Sequence, residues 1–549
     1  MSKPNLEFLP HLQGIRAFAV ILVLIFHYNS FSLPGGFIGV DIFFVVSGFI
    51  ITRLILFEIE NTGRLDLIRF WARRIRRLLP IATLVLLVTL WRSYYFIDET
   101  RIVNISSQIL YCAIYIVNWI FANQSIDYAM QGADPSPVLH YWSLSIEEQF
   151  YIFWPICLAL IAFIPYSQRS PKLRIRLMTA FFILITIASF SWSVFLSLDN
   201  DFKASYFVTT TRVWQLSIGG LVAVSKNRKN SFNVNYGLIA SWVGFLGLIF
   251  CSIWLSLNFR YPGWIAILPV ISTVLLIISE KGGEWSLIPI LKWKPIQYIG
   301  DLSYSIYLWH WPVYIFLPIV ENHYSIKFDS TELWLPYITI TILLSMISKH
   351  CIEDPFRHGY LSKLLKQKRA YGFGLFLILM TVSISFQAKS NTETKIEYAK
   401  AVFLNSIDSN YPGAAIYDQN YLIKLNTEVQ IQPDPLIAKY DRPDLYDDGC
   451  DLKQTFEAVG CKYGNNESNI KIFLVGDSHA AQYAPALQKL SAENQWQLTV
   501  FEKAACPLAN IDIRFSETGE IKSDCQSWKK HVIDTIIEER PSLVIVSGG

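Results

Sequence analysis

The sequence predicts a polytopic α-helical membrane domain of about eleven spans followed by a soluble α/β domain. Three observations lead there. Over 549 residues, 52% are hydrophobic and only 17% charged, too apolar for an ordinary soluble protein and too long for one domain. Apolar runs long enough to cross a bilayer occur near 15–33, 36–57, 78–97, 141–164, 177–197, 208–225, 236–257, 263–279, 302–320, 333–352 and 371–388. Past Ser390 such runs stop, Asp, Asn, Lys and Tyr become frequent, and Cys450, Cys461, Cys506 and Cys525 all fall in this polar part. An even cysteine set confined to one region suggests disulfides and an oxidising compartment, with the pairing left open.

Charge supplies the orientation. The net charge is +3 and the basic residues form short clusters, Arg64 to Arg77, Arg169 to Arg176, Lys226 to Lys229 and Arg357 to Arg369, rather than a stripe. Nucleic-acid binding therefore has no support. Nor is any His/Cys set spaced as metal ligands, so no metal is expected. All four clusters are cytoplasmic only if the segment 105–122, dotted with Ser106, Ser107, Gln108 and Asn118, lies re-entrant or along the interface instead of crossing. With a cytoplasmic N-terminus, eleven crossings then place everything after Ser390 outside. The N-terminus shows no small-residue cleavage site, so the first span is expected to be retained.

The stretch His11 to Gly48 reads as two spans joined by a Pro-Gly-Gly turn, with Arg16, His27 and Asp41 in or beside the apolar runs. Ionisable groups there are costly and mark function. Arg16 and His27 are eleven residues apart, close to three turns, so they share a helix face at roughly 16 Å along the axis. The next loop and span carry Arg69, Arg73, Arg74, Arg76 and Arg77 with no lysine. That composition suits bidentate recognition of phosphate oxygens as well as topogenic charge. In HYWSLSIEEQFYIFWP, residues 140–155, His140, Ser143 and Glu147 share a helix face, and Glu148 adds a second carboxylate. His310, between two tryptophans, reads as a satisfied group in an aromatic belt. In the polar part, NIKIFLVGDSHAAQYAPALQKL is a buried strand, a sharp turn and a helix. It sets Ser478 at a helix N-terminus, where backbone amides stabilise an anion.

These motifs resemble the acyltransferase-3 family of membrane O-acyltransferases. The resemblance rests on Arg16 and His27 in the first helix, Gly39 to Phe44 and Ser47-Gly48 in the second, and an Arg-x-x-Arg motif matched by both Arg73/Arg76 and Arg74/Arg77. It extends to the segment from His140 to Tyr151, to Arg212-Val-Trp-Gln, and to Leu302 to Tyr314. Gln215 departs from the pattern, standing where an acidic residue is common. Gly476 to His479 resembles the first block of SGNH-type esterases and acyltransferases, a domain that one subtype of the family carries outside the membrane.

The resemblance implies an acyltransferase that moves acetyl or a similar acyl group from cytoplasmic acyl-CoA to a hydroxyl of an extracytoplasmic glycan such as lipopolysaccharide O-antigen, in the bacterial inner membrane. It implies His27 as base or acyl carrier, with Arg16, Glu147 and Glu148 as further catalytic candidates. Arg73, Arg74, Arg76 and Arg77 would hold acyl-CoA, and Asp41, Ser47, His140, Ser143 and Arg212 are further site candidates. A carboxylate or arginine is expected to set the His27 tautomer. The competing class is a transporter or flippase of a lipid-linked sugar or acyl donor with a proton relay. It leaves Ser478 unexplained and lacks the paired half-repeats of many transporters. The domains are read as 1–370 acyltransferase, 371–389 final helix, 390–445 periplasmic linker and 446–549 an SGNH-like domain. The last is expected to be truncated, because no Asp-x-x-His block follows Ser478 to complete a triad.

Overall fold

The computed structural model describes residues 7–29, 31–126, 134–164, 170–198, 202–226, 234–256, 259–324, 334–405, 431, 433–438, 441–452, 459–514 and 521–548. The chain divides into two units, residues 1–395 and 396–549.

The first unit is helical. Its main helices are α1 (Pro10–Tyr28), α2 (Gly39–Thr62), α3 (Leu67–Phe96), α4 (Glu99–Ala113), α5 (Val117–Ile126), α6 (Tyr141–Phe163) and α7 (Pro171–Ser197). They continue with α8 (Val213–Lys226), α9 (Val234–Trp254), α10 (Ile267–Ile278), α11 (Lys294–Tyr324), α12 (Trp334–Ser348) and α13 (Gln367–Asn405), whose last residues lie past the unit boundary. Local signals fix several starts. Pro10 opens α1, where its missing N–H costs nothing, and Asp66 caps α3 by accepting from Arg69 N at 2.9 Å.

Among the described residues, nine helices are long and apolar enough to cross a membrane, against the eleven runs read from the sequence. The run at 208–225 becomes the 14-residue α8, about 21 Å long, too short alone for a core of about 30 Å. The run at 302–320 lies in the 31-residue α11, long enough but made less apolar by Tyr, Trp, His and Pro. The polar-dotted segment 105–122 breaks into α4 and α5 at Tyr115, whose φ is +55°, and neither piece is long enough to cross. Large side chains such as Phe153, Leu184 and Leu246 are exposed on these helices, as a lipid-facing surface requires.

Inside, α2 and α8 touch backbone to backbone. A Cβ on Gly48 would sit 1.9 Å from the Leu216 carbonyl oxygen, and one on Gly219 would sit 2.1 Å from that of Val45, so only glycine allows this approach. The final helix runs on to Asn405 instead of ending near 389, because Thr392 to Asn405 contains no Pro or Gly and is rich in helix formers. Most of the segment read as a linker, 406–430, lies outside the described residues.

The second unit is α/β. Strands β1 (Asp451–Leu452), β2 (Cys461–Gly464), β3 (Lys471–Gly476), β4 (Gln497–Lys503) and β5 (Leu543–Ser547) form one sheet in the order β1-β4-β3-β5, with β2 antiparallel to β4. The β3-β4 and β3-β5 pairs are parallel, joined through α14 (Ala484–Asn494) and α15 (Ser523–Glu539). Parallel strands need covering on both faces, and Ile472 to Val475 are buried on both. Disulfides join Cys450 to Cys461 and Cys506 to Cys525, settling the pairing that the spacing left open.

Candidate active site

A cavity in the helical unit gathers residues from five helices. Arg16 comes from α1, Ser47 from α2, Arg74 and Arg77 from α3, Ser143, Glu147, Glu148 and Tyr151 from α6, and Tyr304 and Tyr307 from α11. Spacing explains the α6 contribution, since Ser143, Glu147 and Tyr151 follow one another at four residues and so form one stripe. Polar contacts order the wall. Ser47 Oγ and Tyr151 OH share a hydrogen bond, Ser143 Oγ and Tyr307 OH share another at 2.5 Å, and Arg16 Nη1 donates to Gln13 Oε1 at 3.0 Å. The Arg74 guanidinium lies 4.7 Å from the Tyr151 ring centre.

The four arginines of the expected clamp separate into two pairs. Arg74 and Arg77, one turn apart, line the cavity. Arg73 instead pairs with Glu58 at 3.2 Å, and Arg76 Nη1 donates to the carbonyls of Ser362 (2.8 Å) and Leu365 (3.1 Å). Helical periodicity causes the division, because neighbours in sequence point about 100° apart. Arg77 in turn faces Glu353 at 3.8 Å, a buried carboxylate that the sequence reading did not single out.

His27 lies three turns along α1 from Arg16, and its partner is neither carboxylate nor arginine. His27 Nδ1 and His310 Nε2 are 3.2 Å apart. His310 is fully buried, which corrects its reading as an interfacial belt residue. Its Nδ1 lies 2.6 Å from the Tyr307 carbonyl, which can only accept, so His310 carries its proton on Nδ1. In a neutral ring Nε2 is then the acceptor, and His27 must donate from Nδ1. That contact uses His27 Nδ1 and leaves Nε2 out of it. His140, preceding α6, directs Nε2 to the Leu308 carbonyl at 3.1 Å and packs its ring 5.6 Å from that of His310. Tyr307 joins the two regions, for its side chain lines the cavity and its carbonyl orients His310.

Asp41 and Arg212 lie apart from the cavity lining. Arg212 Nη1 donates to Asp41 Oδ1 at 3.0 Å, and Gln215 Nε2 donates to the same oxygen at 2.5 Å. Trp142, Tyr206 and Tyr261 enclose the guanidinium with ring centres 5.4, 4.6 and 5.3 Å away. The amide of Gln215 thus completes a buried ion pair between α2 and Arg212, which directly precedes α8, where a second carboxylate would repel Asp41.

In the α/β unit Ser478 follows β3 at the predicted turn and is exposed. Gly476 has φ +155°, and a Cβ there would lie 1.7 Å from the Ser547 carbonyl oxygen, so this turn requires glycine. Asp477 Oδ1 accepts from His479 N at 2.9 Å and lies 3.1 Å from His479 Nδ1. His531 Nδ1 is bound to the Ser527 carbonyl at 2.9 Å within α15. Among the described residues, no histidine hydrogen-bonds Ser478 Oγ.

Residues 9–350 match the family model described as an acyltransferase domain, and residues 448–548 match the SGNH domain fused to such domains. Relatives include the putative peptidoglycan O-acetyltransferase YrhL of Bacillus subtilis, 34% identical over 64% of this chain and 55% of that protein. The O-acetyltransferase OatA of Staphylococcus aureus is 32% identical over 68% of this chain and 62% of its own length. A further putative O-acetyltransferase of Staphylococcus aureus is 29% identical over 86% and 74%. The matches thus span a little over half the length of the first two relatives. No solved structure matches the chain.

Proposed function

The chain belongs to the acyltransferase-3 family with a fused SGNH domain, and we propose that it transfers acetyl from acyl-CoA to a hydroxyl of a cell-envelope glycan. The relatives' names point to peptidoglycan as the acceptor, and an O-antigen polysaccharide offers the same hydroxyl chemistry. In this reading the N-terminus is cytoplasmic and the α/β unit lies outside a bacterial inner membrane.

The hydrogen bond between His27 and His310 carries the proposal, because it engages His27 through Nδ1 and leaves Nε2 to act as the base. Arg74, Arg77 and Arg16 suit the phosphates of a donor. Arg16 and His27 stand roughly 16 Å apart along α1, a separation suited to a donor with a charged head and a thioester at the end of a long arm. In the transfer, His27 Nε2 takes the acceptor hydroxyl proton as the oxygen attacks the thioester carbonyl. The C–O bond forms, the C–S bond breaks, and the proton passes to the departing thiolate. Glu147 and Glu148 balance the cavity's guanidinium charge.

Full-length protein in lipid nanodiscs, supplied with labelled acetyl-CoA and peptidoglycan or O-polysaccharide fragments, tests this. Label is expected on the glycan with wild type and not with His27→Ala, which should insert normally because it removes a polar group from a span. Equal transfer by both proteins would end the assignment.

A further inference from the structure

Helix α12 runs into a π-helical turn, Lys349–Glu353, of a kind that is rare inside helices and recurs at functional sites. The turn ends on Glu353, a carboxylate buried at a depth where its charge must be matched. Two guanidiniums meet its Oε1: Arg77 Nε from α3 at 3.8 Å, and Arg357 Nη1, four residues further along the chain, at 3.4 Å. Its Oε2 faces Ser305 Oγ on α11 at 3.5 Å. One carboxylate thus joins α3, α11 and the end of α12.

The ion pairs around it call for Arg77. Asp301 lies 3.6 Å from Arg357 and 2.8 Å from Lys349, and Asp354 lies 2.8 Å from the same lysine. Glu353, Asp301 and Asp354 therefore share Arg357 and Lys349 between them, and Arg77 supplies the third cation. Arg77 in turn needs an anchor, because it lines the cavity with Arg16 and Arg74, and like charges around one small space push each other toward water. Its side chain is 23% exposed, so a way out exists, and its Nε has no hydrogen-bond partner. Among the described residues, Glu353 is the carboxylate in ion-pair contact with it. That contact is made through Nε and leaves out the two terminal amino groups, which can chelate phosphate oxygens as a pair.

We infer that Glu353 is a positioning residue for the donor: it holds Arg77 in the cavity wall, so that the donor's phosphates meet an arginine already in place, while Glu353 itself lies outside that lining. Such preorganisation strengthens donor binding and leaves the chemical step alone, because the group acts on the phosphate end and not on the thioester. The inference rests on the acyltransferase reading.

The test uses full-length protein in nanodiscs with labelled acetyl-CoA and peptidoglycan fragments. Glu353→Gln keeps the shape of the side chain and removes its charge. It is expected to raise the KM for acetyl-CoA about tenfold, with kcat and the acceptor KM unmoved. Glu353→Asp keeps the charge but draws it back by one methylene, and should raise the same KM only about threefold. Arg77→Gln should raise it about tenfold as well, and the double variant no further, because both changes break one contact. Asp354→Asn, in the same network but without contact to Arg77, is expected to leave the KM unchanged. An unchanged KM in both Glu353 variants, effects that multiply in the double variant, an equal rise in Asp354→Asn, or a fall in kcat at constant KM shows that the carboxylate only packs the helices and overturns the inference. Should Glu353→Gln fail to insert, Glu353→Asp with and without Arg77→Gln carries the same decision. Absence of label on the glycan with wild type overturns the acyltransferase reading and this inference with it.

Discussion

His27 and His310 are 283 residues apart in sequence, yet their ring nitrogens approach to 3.2 Å, and this contact selects which nitrogen of His27 holds its proton. His310 thus acts on the reaction through His27 and not by touching substrate. His310→Phe keeps a planar ring but removes the nitrogen that faces His27 Nδ1. It is expected to lower the rate of transfer roughly 100-fold, with the KM for acyl-CoA unmoved. His310→Gln offers an amide oxygen in its place and should restore part of the rate. Steady-state kinetics with both variants decide the matter, and a full rate in His310→Phe would show that the contact only packs.

The divided arginine cluster makes a second test. Arg→Lys keeps the topogenic charge and loses the planar fork. Arg74→Lys and Arg77→Lys are therefore expected to raise the acyl-CoA KM about tenfold, from the loss of bidentate contacts. Arg73→Lys should leave it unchanged, because Arg73 faces Glu58 outside the cavity lining. Equal effects at Arg73 and Arg74 would contradict the division.

Asp41 and Arg212 bear on stability. Asp41→Asn leaves a buried guanidinium without its counter-ion, a change that costs on the order of 3–5 kcal/mol. Gln215→Glu brings a second carboxylate to the same oxygen and should also destabilise. Melting temperatures in detergent are expected to fall for both, whereas a variant as stable as wild type would show that the pair contributes little.

The periodic parts of this architecture were legible in the sequence. Ser143, Glu147 and Tyr151 share a face because four-residue steps on a helix do so whatever surrounds them. Ser478 likewise follows from a buried apolar strand and a Gly-Asp-Ser turn. What escaped depends on packing between distant helices. His310 looks like a belt residue until α11 is laid against α1, and no spacing rule separates Arg74 from Arg73 before α3 has neighbours. The span count shifted for a related reason: hydropathy ranks an aromatic helix such as α11 below an aliphatic one although its length suffices.

The α/β unit gives the last prediction. A serine nucleophile needs a base within hydrogen-bond reach, itself oriented by a third group. Asp477 and His479 do form a pair, but it flanks Ser478 on the turn, and Asp477 Oδ1 also binds the His479 backbone N–H, which holds this side chain to its own cap. His531 is committed to the carbonyl of Ser527 in α15. Ser478 therefore opens a four-residue helical turn, without a proton acceptor placed for it among the described residues. Full-length protein carrying His27→Ala is expected to cleave a chromogenic acetyl ester no faster than buffer. Turnover in that background, abolished by adding Ser478→Ala, would show that a base reaches the serine and that this unit has chemistry of its own.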